Sequence, residues 1–213
     1  MYHPIRDAGS ARTQEQSEKK VYGIIASGPS ACKEDAEKVA TLSDAVICVN
    51  DSWRLLPTCQ HIYATDHRWW AHHIGDIARD YEGQLWTQNV AWPETESPQA
   101  WGINVLTADT GAGGLARDKS KIHTGSNSGY ASIGLAYHLG AERILLLGYD
   151  MMMDGDQRHW FGDHPQGLNV ASNYNTFVQR YRTIKPEEYG IEIWNVTRRT
   201  ALDCFPIHSL DDL

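Results

Sequence analysis

From residue 21 onward, apolar positions come in short continuous runs, separated by longer stretches whose apolar residues recur at helical spacing. The runs are VYGIIA (21–26), AVICVN (45–50), HIYATD (61–66), QLWTQN (84–89), INVLTAD (103–109), ILLLGYD (144–150) and IEIWNV (191–196). Runs of this length, rich in Ile, Val and Leu, predict strands, and the least interrupted of them predict strands covered on both faces. Helical composition occupies 33–42, 52–56, 68–81, 128–139 and 173–184. Strands alternating with helices build a parallel sheet joined by right-handed crossovers. The expected fold is therefore α/β, with a mostly parallel sheet of about seven strands and helices on both faces. Residues 21–213 are expected to form a single domain. Residues 1–20 are polar and aperiodic and are expected to form a flexible N-terminal arm. Two loops, 92–99 with its prolines and the glycine-rich 110–120, are candidate lids.

Composition narrows the function classes. The chain has 213 residues, 41% of them hydrophobic and 22% charged, the balance of an ordinary globular protein. A formal net charge of −8 argues against an extended groove for nucleic-acid backbone. No apolar run approaches the roughly 18 residues of a membrane span, and residues 1–20 carry no apolar signal region. Cys32, Cys48, Cys59 and Cys204 are scattered without a C-x-x-C pair, which fits reduced thiols and a cytoplasmic location. Trp69, Trp70, Trp92 and Trp160 lie in polar segments, where a pocket wall or a subunit contact in a homo-oligomer competes with plain packing.

In a parallel sheet the carboxyl ends of all strands converge on one edge, where open α/β folds bind ligands. Here those ends carry Ser27-Gly28-Pro29-Ser30, Asn50-Asp51, Thr65-Asp66, Asn89, Asp109 and Asp150. Gly28 permits a tight turn, and Pro29 and Ser30 suit the approach to a helix. The turn is neither the G-x-G-x-x-G dinucleotide fingerprint nor a Walker A loop, so nicotinamide dehydrogenases and P-loop kinases are disfavoured.

The richest stretch runs from Thr124 to His164. Ser126, Asn127 and Ser128 are good helix caps, and Gly125 and Gly129 allow close backbone approach. A helix starting there turns unpaired N–H groups toward a ligand and favours an anion. After the strand ending near Asp150, Asp154-Gly155-Asp156 is a D-x-D pattern, a weak candidate for a divalent metal and equally ordinary turn chemistry. His159, Asp163 and His164 with two aromatics between them suit a general acid or base in a partly apolar wall. Met151, Met152 and Met153 read as wall or core. His72 and His73 point about 100° apart on a helix and do not suit shared ligation.

IIASGPSA, then AVICVND, the T-x3-SG stretch leading into SGYASIGLAYHLGAERILLLGYDM, and HWFGDHP together resemble the bacterial sialyltransferases of glycosyltransferase family 42. Parts are shared with flagellin-modifying and hydroxymethylpterin diphosphokinase-like proteins, and HWFGDHP is also similar to uncharacterised tailed-phage proteins, which would place the chain in a host cytoplasm. The resemblance implies a Rossmann-like sheet and a transferase that uses a nucleotide-activated donor, most simply a nucleotide sugar. It further implies no required cofactor or metal. By position, Ser27 and Gly28 approach phosphate or ribose, Asn50 contacts the nucleotide, and Thr65 or Asp66 lies beside the donor. Asn127, Ser128 and Gly129 hold phosphate or the donor's acid group, and His164 is the general base, oriented by His159 or Asp163. Pro29, Ser30, Asp51 and Asp150 complete the expected nucleotide site. The chain departs from the family at Ser27, where an asparagine is usual, at Met152, where a tyrosine steadies the leaving phosphate, and at Ile122-His123, where an arginine is expected. An ATP-dependent diphosphotransferase with a divalent ion on carboxylates such as Asp150, and a non-catalytic nucleotide-binding or sequestering module, are the alternatives.

Overall fold

The computed structural model describes residues 19–90, 92–163 and 173–213. The elements are β1 (Val21–Ile25), α1 (Lys33–Thr41), β2 (Ala45–Val49), β3 (His61–Tyr63), α2 (His67–Asp80), β4 (Gln84–Gln88), β5 (Ile103–Asp109), β6 (Lys121–His123), α3 (Ser128–His138), β7 (Arg143–Leu147), α4 (Tyr174–Tyr181) and β8 (Glu192–Asn195). The segment expected as a helix at 52–56 is instead a 3-10 turn over Asn50–Arg54. All seven expected strands form, and β6 adds an eighth. β6 has only one fully buried residue, Ile122, and three residues are too few for an apolar period to show.

The sheet order is β6-β5-β4-β3-β2-β1-β7-β8, and every neighbouring pair is parallel. This is the Rossmann-like α/β architecture expected. Successive strands are laid down outward from β1 to β6. The chain then returns to the other side of β1 for β7 and β8. The reversal lies between β1 and β7, whose following loops diverge and open a crevice.

The two-residue period of each strand divides the core in two. Ile25, Val46, Cys48, Ile62, Leu145 and Leu147 face α1 and α2, where Ala36, Val39, Trp70 and Ile77 meet them. Ile24, Ile47, Val49, Tyr63, Ile144 and Leu146 face the other way, against α3 and α4. α3 is buried continuously from Ser128 to Ala136. Its small residues, Gly129, Ala131, Ser132, Gly134 and Ala136, let it lie close on the sheet. α2 buries Trp69, Trp70, His73 and Ile77 as one stripe and is capped by Asp66, whose carboxylate accepts from the Arg68 N–H at 2.8 Å. No helix among the described residues is long and apolar enough to cross a membrane.

One buried charge ties the first helix to the far end of the chain. Asp35, in the first turn of α1, is fully buried and accepts from Arg198 Nε at 2.5 Å and Nη2 at 2.6 Å. Arg198 also reaches Asp211 at 3.2 Å. Removing one partner of a fully buried pair typically costs about 3–5 kcal/mol. The Arg198 side chain is 45% exposed, so water screens part of its charge. Arg198→Ala is expected to cost about 2 kcal/mol. The check is a lower urea midpoint with unchanged slope; an unchanged midpoint would show the pair to be energetically idle.

Candidate functional site

The loops after β1, β2, β3 and β7 and the start of α3 enclose a pocket of about 250 Å³ at the carboxyl edge of the sheet. Its lining includes Ser27, Gly28, Pro29, Asn50, Thr65, Asp66, Asn127, Ser128, Gly129, Asp150 and His159. The volume is just below the ~300–1,000 Å³ usual for small-molecule sites.

The floor is the junction of the β1 turn with the end of β7. Gly28 N–H donates to the Gly148 carbonyl at 2.9 Å, and Ser30 N–H donates to Asp150 Oδ1 at 2.9 Å. A Cβ on Gly28 would stand 1.9 Å from Asp150 Oδ2 and 2.5 Å from the Gly148 carbonyl oxygen. Only glycine allows that approach. Asp150 is 2% exposed, and Oδ2 has no hydrogen-bond partner among the described residues. Burial pushes its carboxyl above the ordinary range, and the Ser30 N–H only partly offsets this.

The start of α3 forms a second wall. Asn127 caps the helix, accepting from Tyr130 N–H at 2.8 Å, and the same oxygen accepts from Tyr181 O–H at 2.8 Å. Ser128 Oγ accepts from Thr65 N–H at 3.3 Å and lies 3.0 Å from Thr65 Oγ1, which couples the end of β3 to the helix. Three non-glycine residues hold positive φ among the described residues: Asn50 at 50°, Ser126 at 65° and Met151 at 52°. Asn50 and Met151 line the pocket and Ser126 stands one residue before the cap. Backbone of this kind costs about 1–3 kcal/mol per residue and gathers where a ligand site overrides local preference.

Other expected residues lie elsewhere. Ser30 contributes its backbone to the junction. Asp51 is buried outside the lining, where it accepts from Trp69 Nε1 at 2.9 Å and pairs with Arg54 at 3.1 Å. It braces a pocket wall, since Trp69 lines the cavity. Asp163 is exposed and outside the lining. Asp154 pairs with Arg199 at 2.8 Å, with both side chains more than half exposed, and Asp156 is exposed. No group of three or more His, Cys, Asp or Glu side chains able to hold a metal occurs among the described residues. His164 lies outside the described residues.

Sequence reasoning missed Arg158 and the α4 residues Tyr174, Phe177 and Tyr181, all of which line the pocket. The aromatic spacing of three and four marks one helical stripe, which reads equally well as core packing. The segment bearing Arg158 and His159 is pinned by Trp160, whose N–H donates to the Ser27 carbonyl at 3.2 Å and whose indole donates to Ser52 Oγ at 3.4 Å. The Arg54 guanidinium lies 5.5 Å from the rings of both Trp160 and Phe161.

No family model matches the chain, and no curated protein matches it. The structure is similar to that of the MAf glycosyltransferase from Magnetospirillum magneticum AMB-1, with a TM-score of 0.62 and 13% identity over 92% of this chain. The match takes in 34% of that protein, so the present chain spans about a third of its length. At this identity the likeness is one of fold.

The floor is testable through its glycine. Gly28→Ala is expected to destabilise by about 3 kcal/mol, since the clash involves backbone as well as a carboxylate. Gly75→Ala is the control. It lies exposed within α2, its added Cβ meets nothing within 4 Å, and it is expected to stabilise by up to about 1 kcal/mol. Thermal unfolding of both variants checks the contrast, and an equal response would remove the steric argument.

Proposed function

We propose that the chain is a transferase acting on a nucleotide-activated donor, of the glycosyltransferase kind. The observation that carries this reading is the pocket at the strand-order reversal, where a glycine turn and the first turn of α3 face one cavity. The leading N–H groups of a helix, together with its dipole, form a ready site for phosphate oxygens. Aromatic rings of α4 and Trp69 supply apolar walls for a base or a sugar face. The shared fold with a MAf glycosyltransferase supports the same reading. Donor phosphate is assigned to the Ser128–Gly129 helix start and the Ser27–Ser30 turn. The general base is assigned to His164 on the resemblance of HWFGDHP alone, with His159 and Asp163 as its orienting partners.

Binding is tested with CMP, UMP, GMP, AMP and their diphosphates. A ligand at 100 times its dissociation constant adds about 2.7 kcal/mol of stability, a visible melting shift. Ser128→Asp is expected to keep the fold and abolish that shift, because its carboxylate occupies the place of the ligand's charge. No shift with any nucleotide at millimolar concentration would sink the nucleotide reading.

Chemistry is tested by His164→Ala, which is expected to lower turnover about 10²–10⁴-fold while leaving donor binding intact. Release of nucleotide from the donor that shifts the melting curve is the readout. His159→Ala is expected to have the smaller effect. Turnover is expected to persist in EDTA; loss on chelation with rescue by magnesium would favour a diphosphotransferase instead.

A further inference from the structure

We infer that Arg158 is the residue that recognises the ligand's anionic group in the pocket, fixing the site's preference for a phosphorylated over an unphosphorylated compound. The inference rests on the proposed pocket and names the charge that selects its ligand.

Arg158 carries a charge that its surroundings leave uncompensated. Arg54, Arg68, Arg79, Arg143, Arg182, Arg198 and Arg199 each pair with a carboxylate, while Arg117, which donates to the Glu188 carbonyl, and Arg180 lie outside the pocket lining. Arg158 lines the pocket, partly buried, and pairs with no carboxylate among the described residues. The two acids sharing its pocket are both answered. Asp66 is engaged by the Arg68 guanidinium at 2.8 Å and by the Arg68 N–H at 2.8 Å. Burial works against the Asp66 charge, and Arg68 more than offsets it, holding its carboxyl below the ordinary range. Asp150 is buried, one oxygen is taken by Ser30 N–H, and burial favours its neutral form. Within a chain of net charge −8, Arg158 therefore brings to the cavity it shares with the start of α3 a guanidinium that no carboxylate among the described residues answers.

Position supports the role. Gln157 Nε2 donates to the His159 carbonyl at 2.8 Å, and Trp160 N–H donates to the Ser27 carbonyl at 3.2 Å. Residues on both sides of Arg158 are thus tied down, one of them to the turn that forms the pocket floor. A guanidinium on backbone anchored on both sides can present two parallel N–H donors to phosphate oxygens, which an ammonium cannot match.

The test uses inorganic pyrophosphate, the nucleotide panel and the matching nucleosides, titrated by calorimetry onto wild type, Arg158→Ala, Arg158→Gln, Arg158→Lys and the control Arg199→Ala. The alanine and glutamine variants are expected to weaken phosphorylated ligands about 10–100-fold and to leave nucleosides unchanged, with lysine in between. Arg199→Ala is expected to bind as wild type. Pyrophosphate binding that depends on Arg158, with no nucleotide bound, would uphold the anion site while the nucleotide reading fell. Nucleotides bound equally by wild type, alanine and glutamine variants would overturn the assignment and leave the nucleotide reading standing. Absence of binding by every probe to wild type would overturn both.

Discussion

The contact on which the pocket depends is the close passage of the β1 turn over the end of β7. Two backbone donors, Gly28 and Ser30, are satisfied by Gly148 and Asp150, and the missing side chain at Gly28 makes room for the carboxylate. The two strands would otherwise end in loops that part company, because the sheet reverses its winding direction between them. Asp150 is thus the fastening between the two loops as well as part of the pocket lining. Its burial carries a cost in charge that an exposed carboxylate would not bear.

Around that fastening, polar side chains are largely committed to holding one another. Asn127 serves both the helix start and Tyr181, Ser128 serves Thr65, and Asp51 serves Trp69 and Arg54. Groups locked in this way lose little freedom when a ligand arrives, which is the physical content of preorganisation. Among what the described residues then offer a ligand are backbone N–H groups, aromatic surface and the Arg158 guanidinium.

Much of the architecture was legible in the sequence, for reasons that also explain the gaps. β1, β2 and β7 are covered on both faces, so their apolar runs are continuous and their ends sharp. Knowing where parallel strands end is enough to place Gly28, Asn50, Thr65 and Asp150 on one edge. It does not tell which way a side chain turns there. Asp51 faces inward beneath the pocket while its neighbour Asn50 lines it. β6 escaped notice because Ile122 alone carries its signal. Arg158 escaped because an arginine in an acidic loop reads as a solvated charge, and only the commitments of Asp66 and Asp150, the acids that line its pocket, reveal otherwise. The α4 stripe was visible as amphipathic, yet periodicity cannot separate a wall of a cavity from a wall of the core.

The placement of β1 at the middle of the sheet has a consequence for how the chain folds. β1 lies between β2 and β7, and the partners Ser30 and Asp150 are 120 residues apart in the chain. During synthesis β2 reaches β1 early, while the opposite edge of β1 stays unpaired until β7 has emerged. The entropy of closing so long a loop has to be met before the β1–β7 contacts can reward it, a topology that slows folding. The exposed edge, with the sequence VYGII, has no proline or charge to blunt it, so the nascent sheet is open to pairing with other chains during that interval. The same late return of the chain that creates the crevice therefore delays its formation until β7 has emerged, and truncation before β7 would leave β1 as an unguarded edge.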